Sequence, residues 1–93
     1  MVRPLKPRNI GGDVKICYFK PQGIPLRSLN EIILEPDEFE AIRLHLYEGL
    51  NQTLAAQSMQ ISQPTFARIL DRAQKKVAQA LIEGAAIRIE KEV

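Results

Sequence analysis

The 93-residue sequence contains one cysteine, one histidine and no tryptophan. Cys17 alone cannot form an internal disulfide, and Cys17 with His45 cannot supply the ligand set of a zinc site. We therefore expect no metal and no cofactor. We interpret Cys17 as a small buried residue of a strand and His45 as a packing or surface residue.

No apolar run approaches the roughly 18 residues needed to cross a bilayer, and residues 1–4 lack the apolar core of a secretion signal. We expect a cytoplasmic protein with no membrane contact. The sequence also has no glycine-rich phosphate loop and no paired nucleophile and base, which argues against an enzyme. Asp37, Glu38 and Glu40 could serve as acid/base carboxylates, but in a first helical turn we interpret them as solvated groups that complement the helix dipole.

The net charge is only +2, which does not by itself indicate a polyanionic partner. Its distribution is uneven, however. Residues 1–20 carry five Lys or Arg and one Asp, a net +4, whereas residues 31–48 carry six acidic residues and one Arg, a net −5. Residues 62–83 return to +2 with four basic and two acidic residues. Two basic segments thus flank an acidic one.

The hydrophobic fraction of 45% and the charged fraction of 26% predict a folded chain of one domain at this length. Residues 1–12 combine three basic residues with Pro4, Pro7 and the pair Gly11 and Gly12, which is typical of an extended, flexible arm. We predict a basic arm over residues 1–12 and a single helix-turn-helix domain over residues 13–93.

Three segments have the pattern of short strands. Residues 14–19 alternate, with Val14, Ile16 and Tyr18 on one side. A second strand is predicted at residues 32–34. The alternating tail, residues 86–90, predicts a C-terminal edge strand, which could pair with its own chain or with a second subunit.

Three helices are predicted between these strands. The first begins at Pro36 and runs to about Glu48, with an apolar stripe of Phe39, Ile42, Leu46 and Leu50. The second follows the N-cap Asn51 and has about eight residues. The third follows the N-cap Ser62, ends near Gly84, and buries Phe66, Ile69, Leu70, Ala73, Val77, Ala80 and Leu81. The fold class is mostly α (α+β): a three-helix helix-turn-helix core with short N-terminal strands and a C-terminal edge strand.

The stretch from Gln52 to Leu70 meets the physical requirements of a helix-turn-helix. Ala56 is small where two helix backbones must approach closely. The apolar contacts are predicted to come from Leu54, Met59, Ile61, Phe66 and Ile69. Gln60 stands in the turn where glycine is usual, because the backbone there commonly adopts a left-handed conformation.

The polar face of the third helix carries side chains that suit DNA. Base reading in the major groove is predicted for Gln63, Thr65 and Arg68, because arginine bonds guanine, glutamine bonds adenine, and threonine contacts a base edge or a thymine methyl. Phosphate contacts are predicted for Gln52, Thr53, Ser62, Arg72, Lys75 and Lys76. Contacts from the arm are predicted for Arg3, Lys6 and Arg8.

Several blocks of the sequence, YFKPQGIPL, DEFEAIRL, EGLNQ, AAQSMQIS, TFARIL and ALIEGAAIRI, resemble a family of small uncharacterised prokaryotic proteins predicted to bind DNA. The helix-turn-helix of that family is similar to the one in the fourth conserved region of primary sigma factors. The resemblance implies that Ser62, Gln63, Thr65 and Arg68 lie at the groove-facing start of the third helix. This chain departs from the family pattern with Gln60 in place of glycine and Gln63 in place of a commonly basic residue, so no base preference is implied.

The sequence therefore predicts a transcriptional regulator that binds double-stranded DNA, as a homodimer with two reading helices about one DNA turn apart. The alternative is a protein-interaction module that docks on a partner in the transcription machinery through the third helix or the acidic first helix, without DNA contact. A third interpretation, a three-helix domain whose polar face is merely solvated, is also compatible with these patterns.

Overall fold

The computed structural model describes residues 16–91, and it confirms the α+β class predicted from the sequence. Its elements are strand β1 (Ile16–Phe19), a 3₁₀ turn (Leu26–Ser28), strand β2 (Glu31–Leu34), helix α1 (Pro36–Ala41), a π-helical segment (Ile42–Tyr47), helix α2 (Gln52–Met59), helix α3 (Gln63–Glu83) and strand β3 (Ala86–Glu90). The predicted arm, residues 1–12, and the start of the first predicted strand lie outside the described residues.

The three strands form one sheet in the order β1-β3-β2. β3 pairs antiparallel with β1, with Cys17 opposite Ile89, and parallel with β2, with Leu34 opposite Ile89. The C-terminal strand was predicted correctly, but its predicted edge position is wrong. A parallel partner needs a long crossover, and the helices between β2 and β3 supply one, so β3 enters the sheet between the two earlier strands.

The first helix begins as predicted at Pro36, but its second half is π-helical. The Glu48 N–H bonds to the Arg43 carbonyl, five residues back. This wider turn changes the rotation per residue, so the apolar stripe that was predicted from a period of 3.6 residues does not continue through it. Leu44 is buried and Leu46 is exposed, and the predicted burial of Leu46 is therefore wrong.

Helices α2 and α3 have the predicted caps. Asn51 Oδ1 accepts from the Leu54 N–H at 2.8 Å, and Ser62 Oγ accepts from the Thr65 N–H at 3.2 Å. Between the helices Gln60 adopts the left-handed conformation, with φ 61° and ψ 43°, as predicted for this turn. Only three residues, Gln60 to Ser62, therefore separate α2 from α3.

Two groups of buried residues hold the helices and the sheet together. Between the helices lie Ala41, Leu44, Ala55, Ala56, Phe66, Ile69 and Leu70. Beneath the sheet lie Leu34, Ala73 and Ile89, with the half-buried Cys17 against them. Ala56 is buried, in keeping with its predicted place between two helix backbones. The predicted burial of Leu81 is wrong, since Leu81 is 75% exposed, and Leu54, which was predicted to supply an apolar contact, is 48% exposed. Ala55 takes the inward position next to Ala56, and Leu81 borders an open pocket beside Phe19 and Pro21.

His45 is a packing residue, as one of the two sequence interpretations proposed. Its Nδ1 lies 2.7 Å from the Leu50 carbonyl oxygen, and its ring meets Phe66 edge-on. None of the helices within residues 16–91 is long and apolar enough to span a membrane.

Candidate functional site

A row of three polar side chains lies along the first two turns of α3. The Ser62 hydroxyl donates to Thr65 Oγ1 at 2.8 Å, and Arg68 Nη2 donates to the same oxygen at 3.3 Å. These residues are spaced by three, so they lie on one face of the helix. We call Ser62, Thr65 and Arg68 the Thr65 ridge.

The ridge faces outward because the residues beside it face inward. Phe66 is fully buried, and Ile69 and Ala73 are buried one and two turns further on. Arg68 is exposed and Thr65 is half-buried. The first part of α3 is thus anchored by one face and presents the other to solvent.

A second polar group joins the starts of α2 and α3. The Thr53 hydroxyl donates to Gln63 Oε1 at 3.1 Å. This bond leaves the Gln63 amide NH₂ as a donor beside the first turn of α2. Gln63 therefore bonds to Thr53 rather than to Thr65 or Arg68, although sequence analysis assigned all three to base reading on the polar face of the third helix.

Two basic residues further along α3 bond to α1, although the Arg72 side chain is still 50% exposed and that of Lys76 25% exposed. Arg72 Nε lies 2.6 Å from Glu38 Oε2, and Lys76 Nζ lies 2.7 Å from Glu38 Oε1. Lys76 also donates to the Ile33 carbonyl at 2.7 Å, and Arg72 Nη2 lies 3.6 Å from Asp37 Oδ2. We call Glu38, Arg72 and Lys76 the Glu38 cluster.

Glu38 is the centre of this cluster and has 0% of its surface exposed. Desolvation by itself would raise its pKa. Hydrogen bonds from Lys76, from the Glu35 N–H and from Arg72 outweigh that effect and lower the pKa below its ordinary value. The same bond from Arg72 to Glu38 raises the pKa of Arg72. The carboxylate is thus held ionised between α1, β2 and α3.

The sequence interpretation of Glu38 as a solvated group is therefore wrong. A weak local signal was present, because Glu38 stands three residues after the N-cap Glu35 and bonds back to its N–H at 2.9 Å. The signal for Arg72 and Lys76 was their spacing of four on α3. Neither signal relates α1 to α3.

The other predicted phosphate contacts remain in solvent or at its edge. Lys75 is 78% exposed, and its Nζ lies 3.2 Å from Asp71 Oδ2 on the preceding turn. Gln52 is half-buried at the start of α2, next to Thr53. Arg3, Lys6 and Arg8 lie outside the described residues. Within residues 16–91, no group of three or more His, Cys, Asp or Glu side chains is placed to hold a metal ion.

The fold and this site define a small α+β chain in which two helices joined by a tight left-handed turn present a polar, partly basic ridge. Residues 1–92 match the family model described as "Protein of unknown function DUF134". The chain belongs to that family.

Similar proteins occur in several bacteria and are described as UPF0251 proteins. The one from Caldanaerobacter subterraneus is 50% identical over 90 residues, which cover 97% of this chain and 76% of that protein. The one from Dehalococcoides mccartyi is 51% identical over 97% of this chain and 77% of its own length. The one from Rhodospirillum rubrum is 49% identical, with 97% and 63% covered. No solved structure matches the chain.

Proposed function

We propose that the protein binds double-stranded DNA through a helix-turn-helix formed by α2 and α3, and that it acts as a transcriptional regulator. The observation that carries the proposal is the Thr65 ridge, which projects from the first two turns of α3 over a fully buried Phe66. The first turns of a recognition helix are the part that reaches base edges in a major groove.

Two donors, the Arg68 guanidinium and the Gln63 amide, support base reading at this end of α3. Arg68 carries a guanidinium that can bond O6 and N7 of guanine together, and Thr65 holds it in place through one hydrogen bond. The Gln63 amide is fixed by Thr53 and suits adenine. Side chains already held by neighbours lose less entropy when they bind, which favours a specific complex.

The phosphate contacts of the proposal come from residues around the ridge. Gln52 and Thr53 lie at the start of α2, Ser62 caps α3, and Lys75 extends into solvent. We do not assign this role to Arg72 and Lys76, because Glu38 already occupies Arg72 Nε and Lys76 Nζ. Arg3, Lys6 and Arg8 add backbone or minor-groove contacts. The regulator acts as a homodimer, in which two copies read two half-sites.

The experiment is a selection of bound sequences from a random duplex pool, followed by fluorescence anisotropy with the selected site. Arg68→Ala should weaken binding to the selected site by about 1 to 3 kcal/mol and should weaken binding to random DNA much less. Arg27→Ala is the matched control, since Arg27 is an exposed arginine of the 3₁₀ turn. Equal weakening on both DNAs would assign Arg68 to phosphate, and no duplex binding by the wild type would overturn the proposal.

The arm is tested separately by its electrostatic contribution. Replacing Arg3, Lys6 and Arg8 by Gln should reduce the slope of log affinity against log salt by about 0.9 for each phosphate that the arm no longer neutralises. An unchanged slope would remove the arm from the interface.

A second candidate function has one observation in its favour. An open groove of about 870 Å³ lies beside α1, and its lining includes the acidic Glu35, Asp37 and Glu40, the basic Arg43 and Lys91, and the apolar Phe39 and Met59. Because acidic groups outnumber basic ones there, the groove suits a basic partner protein in the transcription machinery without DNA contact. Co-purification of a basic partner that is abolished by Asp37→Asn and Glu40→Gln, together with no salt-dependent duplex binding, would favour this function.

A further inference from the structure

The last turns of α3 carry an exposed strip of uncharged residues, with Lys75 at its border. Gln74, Ala78, Leu81 and Ile82 follow each other at steps of four, three and one, which places them on one side of the helix. All four are exposed, and Leu81 and Ile82 are 75% and 86% exposed. We call these four residues the Ala78 stripe.

The surface beside the stripe is also apolar. Leu81 borders a pocket of about 270 Å³ whose other walls include Phe19, Pro21, Ala85 and Ile87. Phe19 is itself exposed in β1, a strand at the edge of the sheet. The stripe and this pocket meet at Leu81, so exposed apolar side chains lie next to one another there rather than singly, and such groups mark interaction surfaces more often than single side chains do.

We propose that the Ala78 stripe is the surface on which a second copy of this chain packs, helix α3 against helix α3. This interface would join the two DNA-binding copies of the proposed function. Its fit to the spacing of two DNA half-sites, given below, rests on that proposed function. The core of a protein interface is depleted of charge, and the stripe is uncharged in a helix that elsewhere carries six charged residues.

The character of the stripe favours an identical partner. In a two-fold interface each surface patch meets itself, so a charged patch would repel its own copy. The stripe avoids this, and its border carries both signs, with Asp71 and Lys75 3.2 Å apart. Ala78 is small and lies between Gln74 and Ile82, so two helices that cross antiparallel there can approach closely, with Gln74 of one copy opposite Ile82 of the other.

The position of the stripe also fits two half-sites. Thr65 precedes Ala78 by 13 residues, which is about 20 Å along a helix. Two copies that cross antiparallel at Ala78 therefore place their ridges up to about 39 Å apart, and axes that cross about 50° away from antiparallel bring them to the 34–36 Å of one DNA turn. At 100° per residue, Arg68 and Thr65 lie about 80° and 140° around the axis from Ala78, so the dimer leaves both ridges uncovered.

The test is the oligomeric state of the full chain, measured by sedimentation over a range of concentrations without DNA. The wild type should form a dimer, and Ala78→Lys should raise the dimer dissociation constant by roughly tenfold or more, because it sets like charges against each other at the crossing point. Gln79→Lys is the matched control, since it adds the same charge one residue further along and about 100° around the helix.

A second pair of variants separates this surface from general stickiness. Ile82→Lys should dissociate the dimer, whereas Tyr47→Lys should not, although Tyr47 is 82% exposed. A monomeric wild type, or a dimer that Tyr47→Lys or Gln79→Lys weakens as much as Ala78→Lys, would overturn the proposal. Because sedimentation is measured without DNA, a dimer with no duplex affinity would refute the proposed function and leave the surface standing.

Discussion

The start and the middle of α3 carry the same kinds of side chain and use them differently. Among residues 16–91, Arg68 bonds only a hydroxyl of its own helix and stays exposed, whereas Arg72, one turn later, bonds a fully buried carboxylate of α1. The difference lies in the partner that the fold brings to each position. In this helix a basic side chain is free for a ligand only where no other element supplies an anion.

The largest effect expected from this comparison is on stability. Arg72→Met should lower the free energy of unfolding by about 2 to 3 kcal/mol, because it removes a charge-assisted bond and leaves Glu38 buried with one cation fewer. Arg68→Met, the same change one turn earlier, should cost less than about 0.5 kcal/mol. Urea unfolding of both variants measures the difference, and equal destabilisation would break the comparison.

The next effect concerns pH. The pKa of Glu38 is lowered by folding from a reference of 4.5, so its stabilisation is complete above pH 4.5 and is lost as the pH falls through the lower folded value. Glu38→Gln should therefore be less stable than the wild type at neutral pH, and the difference should shrink in acid. Glu40→Gln is the control, because Glu40 also has a lowered pKa, set by the Arg43 hydrogen bond, but lies partly in solvent. If the difference in free energy of unfolding between the wild type and Glu38→Gln stayed the same in acid, Glu38 would not be the stabilising carboxylate.

A smaller effect separates the two neighbouring lysines in DNA binding. Lys75→Gln should reduce the slope of log affinity against log salt by about 1, because Lys75 is 78% exposed and its only ion-pair partner in the described residues, Asp71, is itself 64% exposed. Lys76→Gln should leave that slope unchanged, because Lys76 is 25% exposed and bonds Glu38. If both variants reduced the slope by the same amount, Lys76 would have to leave Glu38 when DNA binds.

The smallest effect concerns the turn that sets the direction of the ridge. Gln60→Gly should raise the free energy of unfolding by roughly 0.5 to 1 kcal/mol, because Gln60 has a φ of 61° and glycine adopts this conformation at little steric cost. Gln57→Gly, within α2, should lower it by about 1 kcal/mol. Thermal unfolding compares the two, and destabilisation at both positions would argue that the turn is not strained.

The features that sequence analysis predicted correctly depend on neighbours in the chain. Asn51 and Ser62 each cap a helix through an N–H three residues away, and Gln60 was identified by its place in the turn. Phe66 and Ile69 face inward because of their spacing on one helix. Caps, turns and helix periodicity depend only on nearby residues, so they can be predicted from a single sequence.

The features that it missed depend on residues far apart. Glu38 meets Arg72 and Lys76 across 34 and 38 positions, and no periodicity within α1 or α3 encodes that meeting. The order of the strands in the sheet was missed for the same reason, because an edge strand and a central strand can have the same alternating sequence pattern. The π-helical turn shifted Leu46 because a regular helix had been extrapolated through it.

The central place of β3 imposes an order on folding. Among the residues that the structure describes, β1 and β2 have no backbone partner in the sheet other than β3, so neither can close its ladder until residues 86–90 have been synthesised. The contacts between α2 and α3 span a shorter stretch of chain and can form earlier on the ribosome. In a nascent chain that has not yet reached Ala86, the helices can therefore be formed while β1 and β2 are still unpaired. Unpaired strands are sites of aggregation, so we expect aggregation or chaperone binding to occur mainly at this stage.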